Sequence, residues 1–326
     1  MMMKIAFVGF RHGHIYALYQ MATAREDVEI VACVERDGAA REKAEQKLGI
    51  KMQDLSYEAV LSGDADIICT GAAYGERGEI IIRAMQSGKH VLCDKPVCTR
   101  RTELDEIERL CKTKGTRLGC MLDLRYLPAA RRAKQLLESG ALGEVRSVSF
   151  TGQHCIDYAH RPTWYFEEGM HGGTINDLAI HGIDLLRMLT GLSVTQVDGV
   201  RQWNAFATRN KDFKDCAVLM ARLSNGAELL ADVSYSAPTQ VFSMPTYWDF
   251  KLWCEKGMLN FHLTDAHVTL YMEGEKSPTV LEGLAHGDTC LGDLLAEIAA
   301  GTDTLTSGII ASTREVLGLQ EVADRG

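Results

Sequence analysis

Lys4-Ile5-Ala6-Phe7-Val8-Gly9-Phe10-Arg11-His12-Gly13-His14 is a short apolar run that ends at once in a glycine. The run reads as a buried strand, and Ile15, Leu18, Tyr19 and Ala22 recur at the spacing of a helix over residues 14–24. A strand, a glycine turn and a helix in succession bring main-chain N–H groups to a helix N-terminus, where a pyrophosphate can be held. The spacing is an imperfect G-x-G-x-x-G. Gly9 is in place, Arg11 and His14 stand at the second and third glycine positions, and Gly13 restores part of the close backbone approach. Alone, the pattern suits a plain tight turn as well as a nucleotide loop.

The residues that follow repeat the rhythm. An apolar strand over 28–34 ends at Glu35, and a charged helix over 39–48 is stopped by Gly49. A short helical stretch at 57–61 precedes strands over 65–70, 90–93 and 117–121, with helices over 78–87 and 101–114 between them. Alternation of this kind predicts βαβ units and a doubly wound parallel sheet, a Rossmann fold, over residues 1–122.

Beyond residue 122 the rhythm changes. A helix over 128–139 leads to strands over 144–153, 194–205, 216–223, 227–235 and 248–254, with one long helix over 174–189. Turn signals such as Ser224-Asn225-Gly226 predict hairpins, so residues 123–326 are expected to form an α+β domain with an open, largely antiparallel sheet. Helices near 290–300 and 308–323 close the chain and are candidates to pack back on the first domain.

Bulk properties narrow the function. At 326 residues the chain is long enough for two cores, and 46% hydrophobic with 24% charged residues is ordinary globular composition. A formal charge of -9 argues against nucleic acid, which requires a basic face. No window approaches the roughly 18 apolar residues of a membrane helix, and the run after Lys4 is too short for a signal segment. Ten scattered cysteines without a C-x-x-C pair fit a reducing compartment, so a cytoplasmic location is expected.

Two stretches carry chemistry. In Gly88-Lys89-His90-Val91-Leu92-Cys93-Asp94-Lys95-Pro96, Lys95 lies just past a strand, at the edge where doubly wound folds bind ligands. A lysine there is usually solvated; placed beside a substrate hydroxyl it can orient that group and share its proton. In Gly172-Gly173-Thr174-Ile175-Asn176-Asp177-Leu178-Ala179-Ile180-His181-Gly182-Ile183-Asp184, Asp177 and His181 lie four apart on a helix. A carboxylate holding one imidazole nitrogen leaves the other to accept a proton, and Asp184 is placed to do the same work as Asp177. For an isolated pair of this kind, a structural ion pair is the commoner role. Glu35, at the end of the second strand, suits ribose hydroxyls and therefore NAD. Arg36 beside it keeps NADP open, by stacking on adenine or pairing with a phosphate. No histidine or cysteine set has zinc-ligand spacing, so no metal is expected.

Together the two stretches resemble the Gfo/Idh/MocA oxidoreductases. That family carries G-K-H-V-x-x-E-K-P at the end of its Rossmann half and G-G-G-x-x-x-D-x-x-x-H-x-x-D in its second domain. Here Asp94 stands for the usual glutamate and His171 for the leading glycine. The stretch from Arg125 through Pro128 to Gly143-Glu144 is similar to the family's inter-domain connection. The loop Thr70-Gly71-Ala72-Ala73-Tyr74 lacks the usual Thr-Pro pair, and Arg77 stands where a histidine is common.

The resemblance implies a catalytic Lys95, His181 and Asp177. It places cofactor at Gly9, Phe10, Arg11, His12, Gly13, Glu35, Arg36, Thr70, Gly71, Ala72, Tyr74, Asp94 and Lys95. Substrate would meet Lys95, Arg125, Trp164, Asp177 and His181, although Trp164 suits a core aromatic equally well. It further implies NAD or NADP, a sugar or cyclitol whose secondary alcohol exchanges hydride, and a homodimer or homotetramer built on the open sheet. Two alternatives remain at this point. One is glycoside cleavage through transient oxidation by tightly held NAD; the other is a nucleotide-sensing regulator, which the presence of Lys95, Asp177 and His181 disfavours.

Overall fold

The computed structural model describes residues 2–238, 241, 243–285 and 287–326. No helix among them is long and apolar enough to cross a membrane. Contacts divide the chain into two compact units, the first comprising Met1–Leu122, Pro162–Gly172 and Asp288–Thr313.

In the first unit, β1 (Met3–Phe10), β2 (Val28–Val34), β3 (Ile67–Gly71), β4 (His90–Cys93) and β5 (Leu118–Cys120) form a parallel sheet in the order β2-β1-β3-β4-β5. The helices are α1 (Ile15–Thr23), α2 (Gly38–Leu48), α3 (Tyr57–Leu61), α4 (Tyr74–Gln86) and α5 (Arg101–Lys114). A parallel sheet covered on both faces needs apolar strands throughout, and all five residues of β3 are buried. The chain runs from β1 to one side and returns to β3 on the other, so the strand order reverses between β1 and β3. Phe10 and Gly71 pair at that reversal, where open α/β sheets take ligands. Part of the chain's end packs here too. Gly301 follows α8 (Cys290–Ala300), Thr306 lies in the first turn of α9 (Thr304–Arg325), and Leu118 donates its N–H to Thr306 Oγ1 at 3.0 Å.

The second unit is Asp123–Arg161, Gly173–Gly287 and Arg314–Gly326. Its eight-stranded sheet runs β13-β12-β11-β10-β6-β9-β8-β7. The strands are β6 (Val145–Gln153), β7 (Val194–Trp203), β8 (Cys216–Leu223), β9 (Glu228–Ser234), β10 (Asp249–Cys254), β11 (Gly257–His262), β12 (His267–Met272) and β13 (Thr279–Glu282). Only the β6–β9 pair is parallel among the described ladders. Strands β11 to β13 go beyond the sequence expectation. They are short strands; β11 buries Leu259 and Phe261 alternately, whereas β12 and the edge strand β13 bury only Val268 and so carry little alternation.

Helices α6 (Pro128–Glu138) and α7 (Ile180–Thr190) lie on this sheet. A Cβ on Gly182 would come within 2.3 Å of the Phe150 ring, so glycine is what lets α7 rest on β6. The long helix expected over 174–189 is not regular. Residues Ile175–Ala179 form a π-helical turn before α7, and the Ile175 N–H donates to Gln320 Oε1 at 3.1 Å. Widened turns of this kind recur where a side chain must be re-aimed at a functional site, and Asp177 lies within this one.

Candidate active site

The first unit gathers the expected cofactor residues at its strand ends. Gly9 has φ +89°, and a Cβ there would lie 2.9 Å from that of Ala72, so the β1 turn and the β3 loop touch backbone to backbone. Two of the N–H groups expected to face a pyrophosphate are otherwise engaged: Arg11 and His12 both donate to the Gly71 carbonyl, at 3.0 and 2.9 Å. Gly13 has open space around its Cα, consistent with close approach of a ligand.

Glu35 is turned inward. It accepts N–H bonds from Phe10 and Asp37, the latter at 2.8 Å, and a Tyr57 hydroxyl at 3.4 Å. Burial raises its pKa, and those backbone bonds only partly oppose the rise. A ribose would therefore compete for an already bonded carboxylate. Arg36 stacks on the Tyr57 ring at 3.8 Å and pairs with Glu58 at 3.1 Å. A cavity of about 310 Å³ adjoins both, lined also by Arg11, Arg83 and Arg100, and its size and aromatic wall suit the adenosine end of a dinucleotide.

Near the end of β3, Thr70 Oγ1 accepts the Ala72 N–H at 3.3 Å; Tyr74, which opens α4, bonds the Tyr165 hydroxyl through its own at 2.6 Å. Arg77 has no solvent exposure. Its Nη1 donates to the carbonyls of Asp94 and Pro96 at 2.8 and 2.7 Å, and its Nη2 to that of Ala72 at 2.8 Å. The departure from the family histidine is thus a guanidinium that staples the loops after β3 and β4 together. The sequence signal was an arginine on the apolar stripe of α4.

Lys95 is only 3% exposed, which removes the solvated reading of a strand-end lysine; its Nζ lies 5.7 Å from the Tyr74 ring centroid. Beside it, Asp94 is fully buried and accepts from Nδ1 of both His12 and His14, the second at 3.0 Å, while Arg77 Nη2 lies 3.6 Å away. Burial opposes ionisation of Asp94. The neighbouring positive groups and hydrogen-bond donors outweigh it and hold the carboxyl well below its ordinary range. Burial likewise dominates at His12, and lowers its pKa to about 4 despite Asp94. These three side chains sit within 4.8 Å of one another, close enough to ligate a metal. The carboxylate, however, is already filled by two imidazole bonds and faced by Arg77, so the arrangement reads as a hydrogen-bonded cluster.

Trp164 is 1% exposed. Its indole N–H reaches the Arg11 carbonyl at 3.4 Å, and its ring packs on Tyr74 and Tyr165 at 4.9 and 4.4 Å. It therefore braces the glycine turn as a core aromatic does.

In the second unit, Asp177 and His181 are both buried, at 1% and 5% exposure. The Tyr235 hydroxyl donates to Asp177, and Asp123 approaches His181 Nδ1 at 3.5 Å. The Trp248 ring, on a residue held at φ +57°, stands edge-on to His181 at 5.1 Å. His154 stacks on Tyr247 at 4.9 Å and meets the edge of Trp248 at 5.7 Å. Asp184 is gripped through both oxygens by Arg125. That corrects one expectation, since it takes Asp184 from His181. Asp123, Tyr235 and Trp248 carried no motif and lie 58, 54 and 67 positions from His181, so only folding reveals them.

The chain matches the oxidoreductase family model with an NAD-binding Rossmann fold over residues 3–121 and the GFO/IDH/MocA C-terminal domain over 130–260. It belongs to the Gfo/Idh/MocA family, and its N-terminal part is that family's NAD-binding domain. Among relatives, levoglucosan dehydrogenase of Pseudarthrobacter phenanthrenivorans is 27% identical over 195 residues, 57% of this chain and 49% of that protein. Inositol 2-dehydrogenase of Serratia proteamaculans is 30% identical over 157 residues, 48% of this chain and 44% of that protein. The chain thus spans about half the length of the curated relatives it matches. The fold is shared with aldose-aldose oxidoreductase from Caulobacter crescentus, at a TM-score of 0.82 and 19% identity over 100% of this chain and 98% of that one. Levoglucosan dehydrogenase in complex with NADH and levoglucosan gives 0.82 and 18%, over 99% and 97%.

Proposed function

We propose that this chain is an NAD-dependent oxidoreductase that moves hydride between the nicotinamide and a secondary alcohol of a sugar, sugar derivative or cyclitol. The observation that carries the reading is Lys95, a buried ammonium at the end of β4, on the ligand-binding edge of a parallel sheet. Relatives named as levoglucosan, D-xylose and inositol 2-dehydrogenases support the substrate class.

Bound nicotinamide supplies the hydride acceptor. Lys95 is assigned the task of orienting the substrate hydroxyl and stabilising negative charge as it develops on oxygen. His181 is assigned removal of the hydroxyl proton, with Asp123 at 3.5 Å favouring the imidazolium that results. Asp177, held by Tyr235, supports this face of the site. The chain's test is reduced-nicotinamide absorbance across sugars and cyclitols, and its failure with every member would sink the reading.

We further infer that the second unit pairs with a second copy. The ladder registers put Val218, Met220, Leu230, Trp253, Tyr271 and Val280 on one sheet face, each 39% exposed or more. An apolar face of this kind usually marks an interface, and a homodimer or homotetramer would cover it.

A further inference from the structure

The mechanism leaves His12 unused. The ring is largely buried, with 11% of its side chain exposed, and its Nδ1 bonds the Asp94 carboxylate. An ionised carboxylate only accepts, so the proton of the His12 ring sits on Nδ1 and its Nε2 carries a lone pair whenever the ring is neutral. With a pKa lowered to about 4 by burial, the ring is neutral near pH 7. Among the described residues Nε2 takes no hydrogen bond.

The surroundings say what that acceptor suits. Tyr74, Tyr165 and Trp164 wall the ring with centroids at 5.3, 6.2 and 6.4 Å, and the titratable and charged neighbours are His14, Asp94, Arg77 and Lys95. A phosphate brings only acceptors and would face a lone pair. A cation would face Arg77 and Lys95. A neutral hydroxyl donates to the nitrogen and tolerates the aromatic wall.

We propose that His12, aligned by Asp94, is a hydroxyl-binding residue whose Nε2 accepts a hydrogen bond from a polyol held at the strand ends. This rests on the function proposed above, and the polyol is either a ribose of the dinucleotide or the sugar substrate. Asp94 fixes the tautomer, so it acts as a positioning residue for the bond.

The test compares wild type with His12→Phe, which fills the volume without an acceptor, and His12→Gln, which returns a carbonyl oxygen. NADH is titrated against protein fluorescence, and kcat and KM are measured across the sugar panel. A hydrogen bond of ordinary strength predicts about a tenfold loss in the Phe variant, largely recovered by Gln. A loss in NADH affinity assigns the ribose. Unchanged NADH affinity with a raised sugar KM assigns the substrate. Both quantities unchanged in a folded Phe variant overturn the proposal, and so does a loss that Gln fails to recover. If the Phe variant does not fold, His12→Ala replaces it in the same comparison. Wild-type protein that reduces no cofactor with any sugar sinks the functional reading instead, and fluorescence titration of NADH and of the sugars, in wild type and the Phe variant, then decides His12.

Discussion

Arg125 holds Asp184 through two nitrogens, one to each carboxylate oxygen, with Asp184 only 1% exposed on α7 and Arg125 just before α6. A buried carboxylate without its cation is costly, whereas a matched apolar pair in the same volume need not be. Arg125→Leu is therefore expected to lower stability by about 3–5 kcal/mol, and the double variant Arg125→Leu/Asp184→Leu to recover much of that loss. Urea denaturation midpoints check it. A double variant no more stable than the single would show that the pair does more than neutralise a buried charge.

The Tyr235 hydroxyl donates to the buried Asp177. Tyr235→Phe removes a donor to this buried carboxylate, so stability should fall by about 1–3 kcal/mol, and turnover should fall while NADH affinity holds. Unchanged turnover would confine Tyr235 to packing.

His12 sets a pH window for stability. Its pKa is about 4 in the folded chain against an ordinary value of 6.5, so the unfolded chain binds the proton more readily between those limits. The contribution is present above pH 6.5 and is lost as pH falls towards 4, with an upper size of about 3 kcal/mol. The fall in Tm between pH 7 and pH 4.5 should accordingly be smaller in His12→Phe than in wild type. Parallel curves would contradict a neutral, buried imidazole.

The apolar sheet face of the second unit predicts an assembly. Leu230 and Met220 are paired across β9 and β8 and are 48% and 45% exposed. Replacing both with lysine should shift the protein to a smaller species in light scattering, with its Rossmann unit still able to bind NADH. An unchanged mass would place the interface elsewhere.

The legible parts of the sequence were those governed by local pattern. Buried parallel strands such as β3 read as unbroken apolar runs, and Gly9 near the end of β1 marks the turn where only glycine fits against Ala72. Motif spacing singled out Lys95, Asp177 and His181, which the fold buries in its two units. What was hidden depends on partners remote in sequence. Glu35 reads as a strand-end carboxylate, and its bonds to Tyr57 and the Phe10 N–H appear only in the fold. Asp184 is interchangeable with Asp177 until Arg125 is seen on it, and no spacing rule links Arg77 to Asp94 or Tyr235 to Asp177. Strands β12 and β13 escape because Val268 is the one residue they bury, which weakens the period-two signal.

The most direct measurement follows reduced-nicotinamide absorbance and aglycone release together, with NAD or NADP and a panel of sugars, cyclitols and aryl glycosides. Wild type is run beside Lys95→Ala and His181→Ala. Reduced cofactor should accumulate with at least one free sugar or cyclitol, and turnover should fall by roughly two to four decades in each variant while NADH still binds. Aglycone release without reduced cofactor, or turnover unchanged in both variants, would contradict net hydride transfer that depends on Lys95 and on His181.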